Sequence, residues 1–482
     1  MNGSYSSKVI TIAKDEWRYW LRSKLAISVL TVGLLLTLSS VIVTAINTHQ
    51  LAEARASLQH DAEHRFAEQP DRHPHRMVHY GHYAFRTPSP LSMLDPGVDS
   101  YTGNSIFLEG HRQNSAMFAD HRQGTALTSL GSLSPAFIVQ VLAPLLLLLI
   151  GYSSISRERE SKTLTFILSQ GTSFFTVLQG KGLALLSVVG LIMLPMLASG
   201  VIAVSQGESV VIVSSFFAGY AVYLLILVLL ILVLSSVFSK NSDSFTTLAF
   251  SWVLLCIVMP RIASSTAANT VPAAGKLETD FAVLAELRQL GDGHNSADPA
   301  FAKLKASLLA QYDVATIEEL PVNFKGIVAG ASEAKLTSVL NRFAEQRMAN
   351  ELAQTEVSRG FGWLSPMVAI RSFSMITANT GIEIHHRFMR ETETLRFDFV
   401  QALNKLHAEK LSYQDDANRG KSLEDARKAR LSAENWQVLN EFKFQGDSAN
   451  TRLSRSVMAT LQLLFWAFGL CVLIRIIGKR VQ

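Results

Sequence analysis

Charge is scarce in this chain. Asp, Glu, Lys and Arg make up 17% of its 482 residues, against roughly 25% in soluble domains. Together with a mean hydropathy of +0.22, this leaves a membrane protein or an unusually apolar soluble one, and the arrangement of the apolar residues decides between them. Cysteine is scarcer still. The two residues, Cys256 and Cys471, both fall inside apolar runs, so neither a disulfide framework nor a zinc-type cysteine pair is expected. Nucleotide-binding and hydrolytic motifs are missing too. A phosphate-cradling loop reads G-x-x-x-x-G-K-[ST]. The nearest stretch, Gly171 to Gly180-Lys181-Gly182, fails on spacing and on its last position. No H-E-x-x-H, G-x-S-x-G or zinc-deaminase pattern occurs. The chain is not expected to be an enzyme, and any energised role needs a separate ATPase.

Long apolar runs are what the sequence has in excess. A hydrocarbon core about 30 Å thick needs roughly 20 apolar residues in a helix. Six stretches meet this requirement: 25–46, 134–155, 182–204, 210–238, 244–262 and 456–478. Pro260 and Arg261 cut the fifth short, and Arg475 in the last can snorkel to the interface. The expected fold class is an all-α membrane protein with six transmembrane helices. The first run is too long for the core of a signal peptide and no clean cleavage site follows it. Pro135, Pro144 and Pro195 lie in or beside helices two and three, where they can kink them. No Asp, Glu, Lys or His occupies the middle of a span. That absence speaks against a proton- or sodium-coupled secondary transporter, which usually carries such a residue.

Basic residues of short loops mark the cytoplasmic side. They concentrate in the leader 1–24 (Lys8, Lys14, Arg18, Arg22, Lys24), in 156–181 (Arg157, Arg159, Lys162, Lys181), at Lys240, and in the tail 479–482 (Lys479, Arg480). The turn Ser205–Ser209 has one acid and no base. Both termini are therefore expected in the cytoplasm. Two large segments, 47–133 and 263–455, are expected outside.

The first outer segment opens with an expected helical extension of helix one, to about Phe66. A Pro- and His-rich stretch, 70–96, then reads as loops. Nine of the thirteen histidines lie between His49 and His121. Neutral imidazole ligates zinc and copper, so His73, His75, His79 and His82 are metal-ligand candidates. The competing reading is a polar loop with no ion. The second outer segment reads as helical, from apolar residues at three- and four-residue steps: Leu277, Phe281, Leu284 and Leu287; Leu336, Leu340 and Phe343; Leu395, Phe399, Leu403 and Leu406. These stripes are expected to be core, with Gly291-Asp292-Gly293 and Gly330-Ala331 as breaks.

The most informative short stretch is Arg157–Lys181. Alternating charges are followed by an apolar stripe (Leu164, Ile167, Leu168), a break at Gly171-Thr172-Ser173, and a second amphipathic piece ending at Lys181, where helix three is expected to start. Such a helix can lie on a bilayer or fit a partner's groove. It is similar to the coupling-helix segment of type-2 ABC exporter permeases. The match lies in the charged entry Arg157-Glu158 with Glu160, the pair Thr163-Leu164, the break Gly171-Thr172-Ser173 and the exit Gly180-Lys181. The resemblance implies that this segment seats in a cleft of a cytoplasmic ATPase, with Glu158, Glu160, Thr163 and Leu164 touching it.

A narrower resemblance rests on Tyr83-Ala84-Phe85-Arg86, Ser89-Pro90-Leu91, Asp95-Pro96-Gly97-Val98-Asp99, Glu109–Asn114, Leu364-Ser365-Pro366 and His385–Phe388. These resemble a bacterial permease subfamily with large extracytoplasmic insertions and no defined cargo, related to permeases of copper-site maturation and gliding motility. The two resemblances together imply an inner-membrane permease subunit that exports a substrate or transmits force. ATP and Mg would be bound by the partner ATPase. A second permease chain, as homodimer or paralogous heterodimer, and a periplasmic protein are the other expected partners; no nucleic acid is expected. Two rival readings are a membrane-anchored sensor and a metal-handling permease that uses the His-rich segment.

Overall fold

The computed structural model describes residues 2–117, 133–291, 293–439 and 441–481. Among them six helices are long and apolar enough to cross a membrane: Leu25–Ala67, Pro135–Glu160, Phe174–Ser205, Val210–Val237, Asn241–Thr270 and Ala449–Lys479. They are called spans one to six. A leader helix, Asn2–Ser23, precedes them. It turns inward Ala13, Glu16 and Trp20, one turn apart, and packs along span three. Lys24, in the left-handed region (φ 56°), makes the corner into span one.

Span one has 43 residues, about 65 Å at 1.5 Å per residue. It outruns a bilayer and continues as a stalk, as expected, until Phe66 docks fully buried against Phe399 and His82. The stretch 70–96 is not the run of loops expected. It holds a helix, Pro74–Tyr80, a strand, His82–Phe85, paired antiparallel with Ser105–Leu108, and a 3-10 turn, Pro90–Met93. The helix starts where Pro74 occupies its first turn, a position that wastes no N–H, and His73 caps it by accepting from His75 N at 3.1 Å.

Spans two and five contain π-helical turns, Ile138–Leu142 and Val253–Val258. Each ends just before a proline, Pro144 or Pro260. A proline has no N–H for the carbonyl four residues back. The carbonyl left by Pro144 belongs to Gln140, and the Tyr223 hydroxyl donates to it at 2.6 Å. Span five therefore does not stop at Pro260; it runs on to Thr270. Span three likewise begins earlier than expected, at Phe174, so Lys181 lies two turns inside it.

The second insertion is built on two long helices, Phe324–Gly360 and Ile382–Lys410. Gly330 does not break the first of them. Instead Gly326 and Gly330 form the crossing point. A methyl at Gly326 would meet the backbone of Ala408, and Gln401 Nε2 donates to Gly330 O at 2.9 Å. Leu395, Phe399 and Leu403 are core, with Phe66, Phe388 and Trp436. Leu336, Leu340 and Phe343 are half-buried. The stripe Leu277, Phe281 and Leu284 corrects the expectation. It lies on the outer side of helix Lys276–Leu287, 50–66% exposed, because that helix reaches the long helix through its polar side, Glu286 to Arg342. The glycine break at 291–293 holds at Gly291 and Gly293; residue 292 lies outside the described residues.

Between the two long helices the chain dips into the bundle. The helix Pro366–Thr377, entered through the turn Phe361–Trp363, shares one core with spans two, three, four and six. At the tip, Ser365 Oγ donates to Leu255 O of span five at 2.7 Å. Leu255 lies fifteen residues before the insertion end of its span, Thr270, or roughly 22 Å at 1.5 Å per residue. Gln462 and Trp466 of span six hold the other side, donating to Arg359 O at 2.9 Å and Gly362 O at 3.2 Å. The sequence signal was an apolar piece of about eleven residues, too short to span and the right length to re-enter.

Candidate functional site: the coupling segment

The leader helix, residues 156–173 and the end of span six gather at one end of the bundle, where Gly478 lies beside Phe175; both insertions lie at the other. Ser156–Glu160 is helical, Lys162 adopts the left-handed region (φ 59°), and Thr163–Ser169 forms a second short helix. Gly171, at φ 73°, turns the chain. Ser173 then caps span three by accepting from Thr176 N.

A buried four-ion cluster fastens this segment. Glu16 of the leader, fully buried, accepts from Lys181 Nζ at 2.5 Å and Arg157 Nη2 at 2.8 Å. Glu158 accepts from the same Lys181 at 3.0 Å, and from the Thr163 hydroxyl at 2.5 Å. The Arg157 guanidinium lies 3.7 Å from the centre of the Tyr19 ring, a cation–π contact. Two acids face two bases, so the cluster is neutral, which is the condition for burying charge tolerably. Gly180 lets the leader approach span three, since a methyl there would strike Ile12 Cβ at 2.6 Å. Lys8 Nζ reaches Gly171 O at 3.1 Å.

The structure thus divides the seven residues singled out in the sequence. Arg157, Glu158 and Lys181 are internal fasteners, and so is Leu164, 6% exposed. Glu160 caps span five by accepting from Asn241 N at 3.0 Å. Thr163 and Gly171 are exposed. Glu158 and Leu164 are therefore not free to touch a partner as expected. The outward residue is Phe166, 66% exposed. Its position off the stripe Leu164–Ile167–Leu168 was the available signal. Glu16 was missed as well. It is the one acid among the inward residues Ala13, Trp17 and Trp20.

The four candidate histidines part company. His73 Nε2 lies 3.1 Å from Asp416 Oδ1, and His407 Nε2 lies 2.9 Å from Oδ2. Arg419, Asn323 and Lys325 are further partners of that carboxylate. Burial raises the Asp416 pKa, but the bonds from His407 and His73 outweigh it and hold the group well below the usual carboxylate range. His82 is buried beside Gln59, and burial lowers its pKa to about 4. Only His75 and His79 stay together, Nε2 to Nε2 3.2 Å. Burial and the surrounding imidazoles lower His75 to about 3.

No curated protein matches the chain. The family model described as "Domain of unknown function (DUF3526)" matches residues 276–445. The matched stretch takes in the second insertion with its dipping helix, and includes neither the spans nor the coupling segment.

Proposed function

We propose that this chain is the membrane subunit of an ATP-driven transporter of the type-2 ABC exporter class, worked by a separate ATPase that docks at residues 156–173. The carrying observation is the exposed Phe166, mounted on a short helix whose root is locked to the leader, span two and span three by the cluster Glu16–Arg157–Glu158–Lys181. An aromatic knob on a rigid mount suits insertion into a partner's cleft, where aromatics supply most binding energy. Because the mount is bonded to three helices, displacement at the knob moves them together.

The dipping helix extends that path. It ties the second insertion to spans four, five and six, so that motion at the leader end reaches the insertions, as force or as an opened route for cargo. Span five buries only 11% of its apolar window, which leaves a face for the second permease chain. On the charge-rule topology the leader end is cytoplasmic and the membrane is the bacterial inner membrane.

The test is copurification of the chain with ABC-type ATPase subunits from its own organism. The Phe166→Glu variant should lose the ATPase, whereas Leu423→Glu, at an 86% exposed position of the insertion, should keep it. Full retention by Phe166→Glu would overturn the docking assignment.

A further inference from the structure

The helix Pro74–Tyr80 places His75 and His79 one turn apart, on the same face. His111 and His294 close over them from two other segments. The ring of His111 is 5.5 Å from His75 and 5.2 Å from His79, centre to centre. That of His294 is 5.0 Å from His75 and 4.9 Å from His111. One ligand nitrogen each from His75, His79 and His111 lies within 4.8 Å of the others. We propose that these four histidines form a binding site for a divalent ion of the zinc and copper group.

The distances fit that chemistry. A tetrahedral centre with bonds of about 2.0–2.1 Å sets its donor nitrogens roughly 3.3 Å apart. His75 Nε2 and His79 Nε2 already stand at 3.2 Å. His111 stands within 4.8 Å of that pair, ligand atom to ligand atom, and the His294 ring packs against His75 and His111 as the fourth candidate. Two histidines four residues apart on a helix are a recurrent half-site for zinc.

The support around His111 is the second observation. Its backbone takes the left-handed region, φ 65°. Its Nδ1 and its backbone N both meet Glu333 Oε2, at 3.0 and 3.1 Å. Glu333 is itself fully buried and paired with Arg396. A carboxylate on one ring nitrogen fixes the tautomer and turns the other nitrogen to the metal. That other nitrogen, His111 Nε2, is buried with no hydrogen-bond partner. An acceptor with no partner, on a ring packed against three other imidazoles, is in position to ligate an ion.

The donor set selects the ion. Four neutral nitrogens with no carboxylate among them do not suit calcium or magnesium, which take oxygen. Among the described residues no thiolate or thioether joins them, which disfavours copper(I). Imidazole suits zinc and copper(II), as it does nickel and iron, and a tetrahedral set of four nitrogens is the usual habit of zinc. The second cluster, His73, His407 and Asp416, is not a rival, because its carboxylate is already satisfied by Arg419 and Asn323. A bound ion would stitch the loop carrying His294, in the second insertion, to the helix of the first. This inference stands independently of the transporter reading.

The experiment uses the full chain, purified in detergent with a histidine-free tag, stripped with chelator and titrated with zinc chloride or copper(II) sulfate. One equivalent per chain is expected, and because nitrogen sites generally bind copper(II) more tightly than zinc, the ion that copurifies with the unstripped chain is the assigned one. For copper, hyperfine structure from several nitrogens should appear in the electron paramagnetic resonance spectrum. His79→Ala, at an exposed position, should lose the site, and Glu333→Gln should weaken it about 10- to 100-fold. His73→Ala should leave one equivalent. Unchanged stoichiometry in His79→Ala, or no binding of either ion by the wild-type chain, would overturn the proposal.

Discussion

Replacing Glu16 with Gln removes one charge from a cluster whose neutrality depends on it. The carboxylate is fully buried, and its partners Lys181 and Arg157 are 4% and 19% exposed. After the change two cations face Glu158 alone. Breaking a buried pair by removing one partner costs about 3–5 kcal/mol. Pairing Glu16→Gln with Lys181→Met restores neutrality, since Arg157 keeps Glu158 at 3.2 Å. The double variant should therefore recover a large part of the loss, with a coupling energy of about 2–3 kcal/mol. The cost falls where the leader meets span three, so it is read as local opening. Hydrogen exchange of the leader amides between Glu16 and Arg22 should speed up at least about 100-fold in Glu16→Gln, at roughly 1.4 kcal/mol per decade. In the double variant most of that protection should return. Wild-type exchange in Glu16→Gln, or strictly additive effects in the double variant, would refute the claim that this cluster is the fastener.

Other expectations follow from the same structure. Tyr223→Phe strips the donor from Gln140 O, beneath Pro144, and should cost about 1–3 kcal/mol, seen as a lowered melting temperature of the detergent-solubilised chain. Gly326→Ala drives a methyl against the backbone of Ala408, with Cα at 2.7 Å; overpacking of this kind costs about 1–3 kcal/mol, and an unchanged melt would show that the two long helices part freely. Glu383, bonded to Arg359 at 2.6 Å, and Asp416 both have folded-state pKa values below their ordinary ones, because their partners' bonds and charges outweigh burial. Their contribution is complete above the unfolded values near 4.5 and 3.8, and is lost as pH falls through the folded ones. Melting temperature should thus drop on acidification below about pH 4.5, and Glu383→Gln should flatten the upper part of that limb.

The six spans were legible because a run of twenty apolar residues has one physical meaning. Their ends were less so. Phe174–Gly180 is amphipathic and reads as a surface piece, yet it is the first two turns of span three, buried on one side by the leader. The proline in span five looked like a stop, since the sequence does not reveal that a π turn will carry the helix through it. Gly330 looked like a break because glycine weakens an isolated helix; only the facing helix shows that this stretch is a crossing point, where Gly326 one turn away has no room for a side chain. The histidines show the same limit. His75 and His79 are neighbours by helical spacing alone, whereas His111 and His294 arrive by tertiary folding, which no local pattern encodes. His73 and His82, close in sequence, were carried away by Asp416 and by the core around Phe66.

The dipping helix joins these observations. A peptide carbonyl inside a membrane bundle must find a donor, and π turns before Pro144 and Pro260 rearrange carbonyls in spans two and five. Hydroxyl and indole groups answer them: Tyr223 at Gln140 O, Trp252 at Val141 O at 2.9 Å, and Ser365 at Leu255 O. Tyr220 completes the set, accepting from Gln140 Nε2 at 2.8 Å and lying 2.9 Å from the Ser374 hydroxyl of the dipping helix. Ser374 in turn bonds to Asp95 of the first insertion. The irregular turns of the spans are therefore also the sockets that hold the insertions. Any change in the tilt of span two or five must break these bonds or carry the dipping helix with it, and while the bonds hold the insertions move with those spans.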